Sequence, residues 1–498
     1  MIPANPLAQK SGSHRIHTIP GIIFMTGTAV VGAFLIAKGG IVMGALLVMM
    51  PFILTFLYVL FQDQKFGIYS VIVLSFAVMG ISRYIKNVPF GLAIDGVLIM
   101  CYLGMFFKEF QNKIKWKRAG SELTLLAAIW FGYALFQLVN PEALSKVAWF
   151  YAMRGVALYM FLIIPLVLIL FDDLSQLKKI IYIFGTISIL GTLKAAQQIY
   201  LGPDPFEKAW LDGGGSLTHV LFGKLRAFSF YSDAGQFGAS QAHAGVLGTI
   251  LFFNSKSTKE KIFFATMAIF GFWGMLLSGT RGAIAVPMAG LFIYLFLTKN
   301  IRVLSVGIVM MLMAFIFFKY TMIGNNVDQI RRMRTAFDPN DASLQVRLEN
   351  QRRLKVYMAT RPFGGGIGAA GNWGQRFSPN GFLANVPTDS WYVMIWAEQG
   401  IIGLTLHLII LFYIIGKSSF LIMFVLKDPE TKSYMMALTS GMLGIMAASY
   451  GNGVLGQNPT GPLIYTSMAF LFLSTKIDPV LKAEKLQPKI IKNTKIIL

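Results

Sequence analysis

Charged residues and cysteine are both scarce in this sequence. Only 13% of the 498 residues are charged, 55% are hydrophobic, and Cys101 is the one cysteine. A single cysteine excludes an intramolecular disulfide framework and a cysteine-based metal site. No HExxH motif and no cluster of His and Asp supports another kind of metal site. We therefore expect no metal and no cofactor.

Long apolar runs take the place of the missing charge. Runs of about 18–22 residues recur along the chain, enough to cross a hydrocarbon core of about 30 Å, and they lack the alternation of barrel strands. The sequence predicts an all-α polytopic membrane protein with about 12–14 transmembrane helices. We place 14 spans, at 19–37, 40–61, 66–82, 89–107, 122–139, 151–171, 180–200, 232–253, 262–279, 282–298, 302–320, 388–416, 433–450 and 459–475.

The distribution of positive charge predicts the orientation of these spans. The net charge of +22 lies largely in short basic segments beside spans, including Lys108–Arg118 and the tail Lys476–Lys495. This is the pattern of orientation signals in membrane proteins, and it leaves no soluble basic domain to bind nucleic acid. We expect both termini in the cytoplasm and a single transmembrane domain, 1–498. Residues 321–387 then form one long periplasmic loop.

Arginine dominates this loop and the start of the next span. Residues 321–403 contain eight arginines and one lysine, and arginine suits bidentate recognition of oxyanions. The segment Gln345–Ala359 is typical of a surface helix whose basic face binds either anionic lipid headgroups or a phosphate-bearing ligand. The glycine-rich turn Arg361–Gly368 follows, where glycines allow a close approach of backbone to ligand. Residues Gly366–Gly371 formally match GxGxxG but lack a βαβ context, so we expect no dinucleotide site.

Four further ionisable residues lie at or near span ends. Arg226 precedes an unusually polar span, and Arg281 lies in a turn between two spans, where it either snorkels to the interface or binds an anion. Asp389 is either a helix N-cap or a general base. Glu398, nine residues further on, should be paired or line a cavity. The orientation places Arg226, Arg281, the long loop and Asp389 at the same outer face.

These residues lie in four patches that resemble the bacterial O-antigen ligase/polymerase superfamily of membrane glycosyltransferases. The resemblance covers about residues 220–415, and its order and spacing are more specific than any one patch. The patches are Arg226–Phe230 with Asp233, Leu277–Ala283, Arg347 with Arg361–Gly368, and Asp389-Ser390 followed by Gly400–Gly403. Ligases of the family usually have histidine where this chain has Asp389, which favours a polymerase-type member or a divergent ligase.

The resemblance implies a GT-C-like fold and a periplasmic active site. It implies transfer of a glycan from polyprenyl (undecaprenyl) pyrophosphate to an acceptor hydroxyl by a metal-independent, inverting glycosyltransferase. The expected partners are that donor, a glycan or lipid-linked acceptor, membrane lipids and, as a further candidate, a chain-length regulator protein. We assign catalytic roles to Asp389, Arg226 and Arg281, and substrate-binding roles to Arg347, Arg352, Arg361, Asp233 and Ser390.

Two other functions fit the composition. A transporter or flippase of an anionic glycolipid would need charged residues deep in several spans, and this chain has few of them. A lipid-binding scaffold would show no turnover.

Overall fold

The computed structural model describes residues 19–484, except for residues 86–87, 222 and 339. Residues 1–18 and 485–498, which include both predicted cytoplasmic termini and part of the basic tail, lie outside the described residues. The chain divides into two units, Met1–Asp63 and Gln64–Leu498. The single-domain assignment stays a prediction.

Helix α1 of the first unit spans Ile19–Gln62. Its backbone is interrupted at Gly40, which has φ 59° and ψ −152°. The two halves correspond to the predicted spans 19–37 and 40–61.

The second unit is built almost entirely from helices. It begins with α2 Gln64–Tyr84, α3 Gly91–Glu109, α4 Glu122–Phe136, α5 Lys146–Met153, α6 Tyr159–Leu170, α7 Leu174–Tyr200, α8 Pro205–Trp210 and α9 Ser216–His219. A short antiparallel hairpin of β1 Val220–Leu221 and β2 Lys224–Leu225 follows. The remaining helices are α10 Ala234–Asn254, α11 Thr258–Leu277, α12 Ala285–Leu297, α13 Ile301–Tyr320, α14 Asp328–Arg334, α15 Ala342–Met358, α16 Gly371–Phe377, α17 Trp391–Phe420, α18 Pro429–Ala448 and α19 Thr460–Ile477.

Within the described residues, eight helical segments are long and apolar enough to cross a membrane. They are Gln64–Tyr84, Gly91–Glu109, Glu122–Val139, Lys146–Leu170, Leu174–Tyr200, Thr258–Leu277, Ile301–Tyr320 and Trp391–Val425. The prediction of an all-α polytopic membrane protein is therefore confirmed. The total of 14 spans stays a prediction, although each predicted span coincides with helix.

The least apolar of the predicted spans, 232–253, forms the buried helix α10, which packs against α7, α11, α12 and α18. Small residues allow a close approach to α11: a methyl group on Gly271 would lie 2.5 Å from the backbone nitrogen of Gly245. Polar side chains of α10 have protein partners, and Gln236 Nε2 donates to the carbonyl of Val454 at 3.0 Å. Low hydropathy here reflects enclosure by protein instead of lipid.

The long loop contains the predicted basic helix. Helix α15 covers Ala342–Met358, three residues earlier at its start than the predicted 345–359. The earlier start follows from Asp341, whose Oδ1 accepts from the Leu344 backbone amide at 3.0 Å and caps the helix.

The glycine-rich turn 361–368 approaches protein backbone closely. Helix α17 is interrupted at Gly400, with φ 71° and ψ −175°, and the turn lies across this interruption. The amide of Gly365 donates to the carbonyl of Ala397 at 2.9 Å, and that of Gly366 to Glu398 at 2.8 Å. The space beside these glycines is occupied by protein: Gly364 lies against the backbone of α17, and Gly366 and Gly368 lie against Ala143 and Ala148. The approach of these glycines to a ligand stays a prediction.

We predict that Gly400→Ala destabilises the protein by more than about 2 kcal/mol. The new methyl group would overlap the carbonyl of Pro362, and the left-handed backbone adds a penalty of about 1 kcal/mol for any other residue. Thermal unfolding of the purified protein measures the effect. The control is Gly416→Ala in the same helix, where no atom lies within 4 Å and alanine should be neutral or stabilising. Equal melting temperatures for the two variants would contradict this account of the docked turn.

Candidate functional site

Arg226 lies in the connection that leads into α10. Its Nη1 donates to the carbonyl of Thr218 at 3.1 Å and its Nη2 to Thr280 Oγ1 at 2.8 Å. Asp233 ends this connection and caps α10, because its Oδ1 accepts from the amide of Gln236 at 2.9 Å. The polar entry noted in the sequence is therefore a capped helix start that holds an arginine beside the turn after α11.

That turn, residues 278–281, positions the second arginine. Ser278 Oγ accepts from the amide of Thr280 at 3.0 Å, and Thr280 Oγ1 donates to the carbonyl of Ala234 at 2.8 Å. Gly279 takes φ 55°, a left-handed conformation that favours glycine. The turn is thereby tied to the start of α10, and Arg281 leaves it towards the long loop.

Arg281 joins the turn to the loop. Its Nη1 donates to Thr335 Oγ1 at 3.1 Å and forms an ion pair with Asp341. Asp341 is also the cap of α15, so one carboxylate orders both a helix start and an arginine.

The third arginine, Arg347 on α15, faces the predicted base. Its Nε lies 3.7 Å from Asp389 Oδ2, and both side chains are partly exposed. Asp389 has φ 48°, which a residue other than glycine adopts at some energetic cost. The structure therefore holds a carboxylate in a strained backbone conformation next to an arginine.

The N-cap residue of α17 is Ser390 and not Asp389. The Ser390 hydroxyl accepts from the amide of Val393 at 3.5 Å and donates to the carbonyl of Ser449 at 3.2 Å. The cap interpretation of Asp389 is therefore wrong, and its carboxylate is available for another role. The predicted substrate contact of Ser390 stays a prediction, on a buried side chain that already has two partners.

A fourth arginine, Arg332 on α14, belongs to the same group. A methyl group on Gly279 would lie 3.3 Å from Arg332 Cδ and 3.8 Å from Arg226 Cγ, so the two side chains flank one glycine. Burial lowers the pKa of Arg226 to about 10, and the positive charges of Arg332, Arg281 and Arg347 contribute, against an opposing effect of Asp233. We call Arg226, Arg281, Arg332 and Arg347 the arginine cluster.

The cluster favours anions strongly. The guanidinium group of Arg226 is protonated at neutral pH, since even its lowered pKa of about 10 is far above 7. Burial and the charge of Arg281 also lower the pKa of Arg332. Like charges held this close repel each other and are stabilised by an oxyanion that bridges them.

Asn452, in the connection between α18 and α19, borders the cluster. A methyl group on Gly282 would lie 2.5 Å from Asn452 Nδ2, and one on Gly451 would lie 3.9 Å from Arg347 Nη1. Asn452 Nδ2 is buried and has no hydrogen-bond partner among the described residues. The sequence contains no signal that sets Asn452 apart, and none that separates Arg332 from its neighbouring arginines.

Two predicted substrate-binding residues lie apart from these contacts. Arg352 is exposed and pairs with Glu349 on its own helix at 3.4 Å. Arg361 donates to Glu142 at 2.9 Å and to the carbonyl of Tyr357 at 2.9 Å, and so fastens the glycine-rich turn. Their substrate roles stay predictions without support from these contacts.

Glu398 is buried, and its Oε1 accepts from the amide of Ala370 at 3.1 Å. This carboxylate therefore holds the glycine-rich segment against α17. Among the described residues no group of three or more His, Cys, Asp or Glu is arranged to hold a metal ion.

A cavity of about 310 Å³ lies elsewhere in the second unit. Its lining residues are Arg118, Phe171, Asp172, Asp173, Leu473, Lys476 and Lys482. None of these lining residues belongs to the arginine cluster. The candidate site is therefore defined by the positive charge of the arginines and by their position beside one another, and not by this cavity.

The fold and the cluster together define a class: a multi-pass helical membrane protein with an arginine cluster beside a carboxylate. Comparison with protein families then gives a match of residues 266–408 to the Wzy_C family, described as O-Antigen ligase. The match supports, over residues 266–408, the predicted resemblance to the O-antigen ligase/polymerase superfamily of membrane glycosyltransferases, a family whose substrates are lipid-linked glycans. It includes Arg281, Arg332, Arg347 and Asp389, whereas Arg226 precedes it. No curated protein matches the chain.

We predict that Asp389→Gly is more stable than Asp389→Ala by about 1 kcal/mol. Both variants lose the pair with Arg347, so their difference isolates the cost of φ 48° for a residue with a Cβ atom. Thermal unfolding of the two purified variants measures this difference. A more stable alanine variant would show that the backbone at residue 389 is not left-handed.

Proposed function

We propose that this protein transfers a glycan from a polyprenyl-pyrophosphate donor to an acceptor hydroxyl at the periplasmic face of the bacterial inner membrane. A polymerase of O-antigen or exopolysaccharide type is favoured over a lipid A-core O-antigen ligase, because Asp389 occupies the position where ligases usually have histidine. The family match supports the general activity. The membrane face of the reaction, the glycan donor and the acceptor are parts of this proposal.

One observation carries the proposal. Arginines from the α10 entry, the turn after α11 and the long loop converge, and one of them, Arg347, lies 3.7 Å from Asp389. A diphosphate leaving group needs positive charge, and an acceptor hydroxyl needs a base. The arrangement supplies both within one set of contacts.

The proposed reaction is a single displacement. Asp389 accepts the proton of the acceptor hydroxyl while that oxygen forms a bond to the anomeric carbon. The bond between this carbon and the diphosphate oxygen breaks, and its electron pair leaves with the diphosphate. Attack from the side opposite the leaving group inverts the anomeric centre.

Arg226, Arg281 and Arg347 stabilise the charge that develops on the diphosphate. Fixed donors are most effective when they are in place before the reaction, because no reorganisation is then needed. The contacts of Arg226 with Thr218 and Thr280, and of Arg281 with Thr335 and Asp341, fix two of them. In this mechanism arginine supplies the charge that a divalent metal would otherwise provide.

We predict that loss of a cluster arginine lowers the transfer rate of the purified enzyme. Arg226→Lys and Arg281→Lys should each reduce the rate by about 10²-fold, since lysine cannot make bidentate contacts and the loss of one such donor costs about 10²–10³-fold. The assay uses a polyprenyl-pyrophosphate glycan and an acceptor, with products quantified by mass. Arg353→Lys, at an exposed position on the same helix as Arg347, is the control and should retain full activity. Full activity in both cluster variants would show that these arginines do not stabilise the leaving group.

A second prediction concerns the base. Asp389→Asn should reduce the transfer rate by about 10²–10⁴-fold, the usual contribution of a general base, while expression and melting temperature stay near wild type. Asparagine tolerates the left-handed backbone, so the comparison isolates the carboxylate. Retained transfer would remove Asp389 as the base.

Two conditions of the same assay separate the alternatives. Transfer in proteoliposomes without an ion gradient, at a rate unchanged by a chelator, is expected for the proposed enzyme and not for a transporter. A ladder of products would identify a polymerase, and one capped product would identify a ligase.

A further inference from the structure

Several charged residues of α14 make contacts that fix this helix in place, and one charged residue, Arg332, does not. Asp328 pairs with Lys224 of β2 and with Arg331 of its own helix. Arg334 donates to the carbonyl of Phe317 at 2.9 Å and to that of Ile323 at 2.5 Å. These contacts, with the buried Met333, fix α14 against its surroundings.

Arg332 lies on this fixed helix without a partner. Its guanidinium makes no hydrogen bond and no ion pair within the part of the chain that the structure describes, although Asp341 attracts it electrostatically. The side chain is partly buried, with its stem against Gly279, and therefore stays near Arg226 and Arg281. A guanidinium with five free donors is thus held among like charges.

The other members of the cluster are already engaged. Arg226 donates to Thr218 and Thr280, Arg281 pairs with Asp341, and Arg347 faces Asp389. Each of them already has a protein partner, whereas Arg332 can offer a ligand its full set of donors. Such an arrangement disfavours the unliganded protein and favours an anion with several oxygens.

We propose that Arg332 binds the diphosphate of the lipid-linked donor, and of the polyprenyl diphosphate product, directly. This inference rests on the proposed function and adds a substrate-binding residue that the four sequence patches do not contain. Arg332 interacts with phosphate oxygens, so its effect is on affinity for the diphosphate in both donor and product.

The test compares Arg332→Gln with Arg331→Gln in the full-length protein in nanodiscs of neutral lipid. Arg331 lies on the same short helix and is exposed, and its one ion pair among the described residues is with Asp328 at the helix start. Farnesyl diphosphate is the probe, and thermal unfolding and equilibrium binding are the readouts. Wild type and Arg331→Gln should bind the probe and gain melting temperature. Arg332→Gln should bind it at least tenfold more weakly and lose most of that gain.

The melting temperature of the variants without the probe is a second readout. It distinguishes a ligand-binding role of Arg332 from a role in stabilising the fold. Removal of Arg332 relieves repulsion from Arg226 and Arg281, so Arg332→Gln without probe should melt at the wild-type temperature or above it. A lower melting temperature without probe would assign Arg332 to holding the fold and overturn the inference.

Two further outcomes separate the inference from the proposed function. If wild type does not bind farnesyl diphosphate, the diphosphate donor itself is wrong. If wild type binds and Arg332→Gln binds equally well, only the role of Arg332 is wrong. Nanodiscs with phosphatidylglycerol test the other source of phosphate: the inference expects no difference between the two variants in lipid binding, and a selective loss in Arg332→Gln would make Arg332 a lipid-headgroup contact instead.

Discussion

Repulsion among four guanidinium groups is the constraint on which the rest of the site depends. Like charges in one site repel each other, so such a group needs support from groups of opposite charge. Support comes from carboxylates that also order the backbone: Asp233 caps α10, and Asp341 caps α15 and pairs with Arg281. The same residues that stabilise the helices therefore set the charge balance, and the remaining excess of positive charge is available to an anionic ligand.

The loop that contributes Arg332 and Arg347 is anchored along its length. The turn 361–368 hydrogen-bonds to α17 across the interruption at Gly400, and Arg361 adds a contact to Glu142. Such anchoring is what electrostatic stabilisation of a leaving group requires, because donors that must reorganise lose most of their advantage. Fold stability and the proposed chemistry thus share the same contacts, and a change at a glycine in this turn should affect both.

The sequence predicts the helices well, and the structure brings together Arg226, Arg281 and Arg347 from three of the predicted patches. Hydropathy reports lipid exposure, so the apolar spans are easy to predict from the sequence. The buried α10 has the weakest hydropathy signal, because its polar residues Gln236 and Gln241 have partners inside the protein. Which loop arginine faces the site could not be predicted: Arg331, Arg332 and Arg352 are equivalent in sequence, and only the docking of α14 and α15 distinguishes them. The sequence leaves open whether Asp389 is a helix cap or a base, because the exact start of a helix depends on backbone angles such as φ 48° at Asp389.

The most direct measurement of the central claim is an electron cryomicroscopy structure of the protein in nanodiscs with bound polyprenyl diphosphate. The account predicts that phosphate oxygens lie within hydrogen-bond distance of Arg226 and Arg332, with Arg281 and Arg347 around them and Asp389 on the side of the acceptor. A diphosphate bound away from these guanidinium groups, for example beside Arg118 and Lys476, would contradict it.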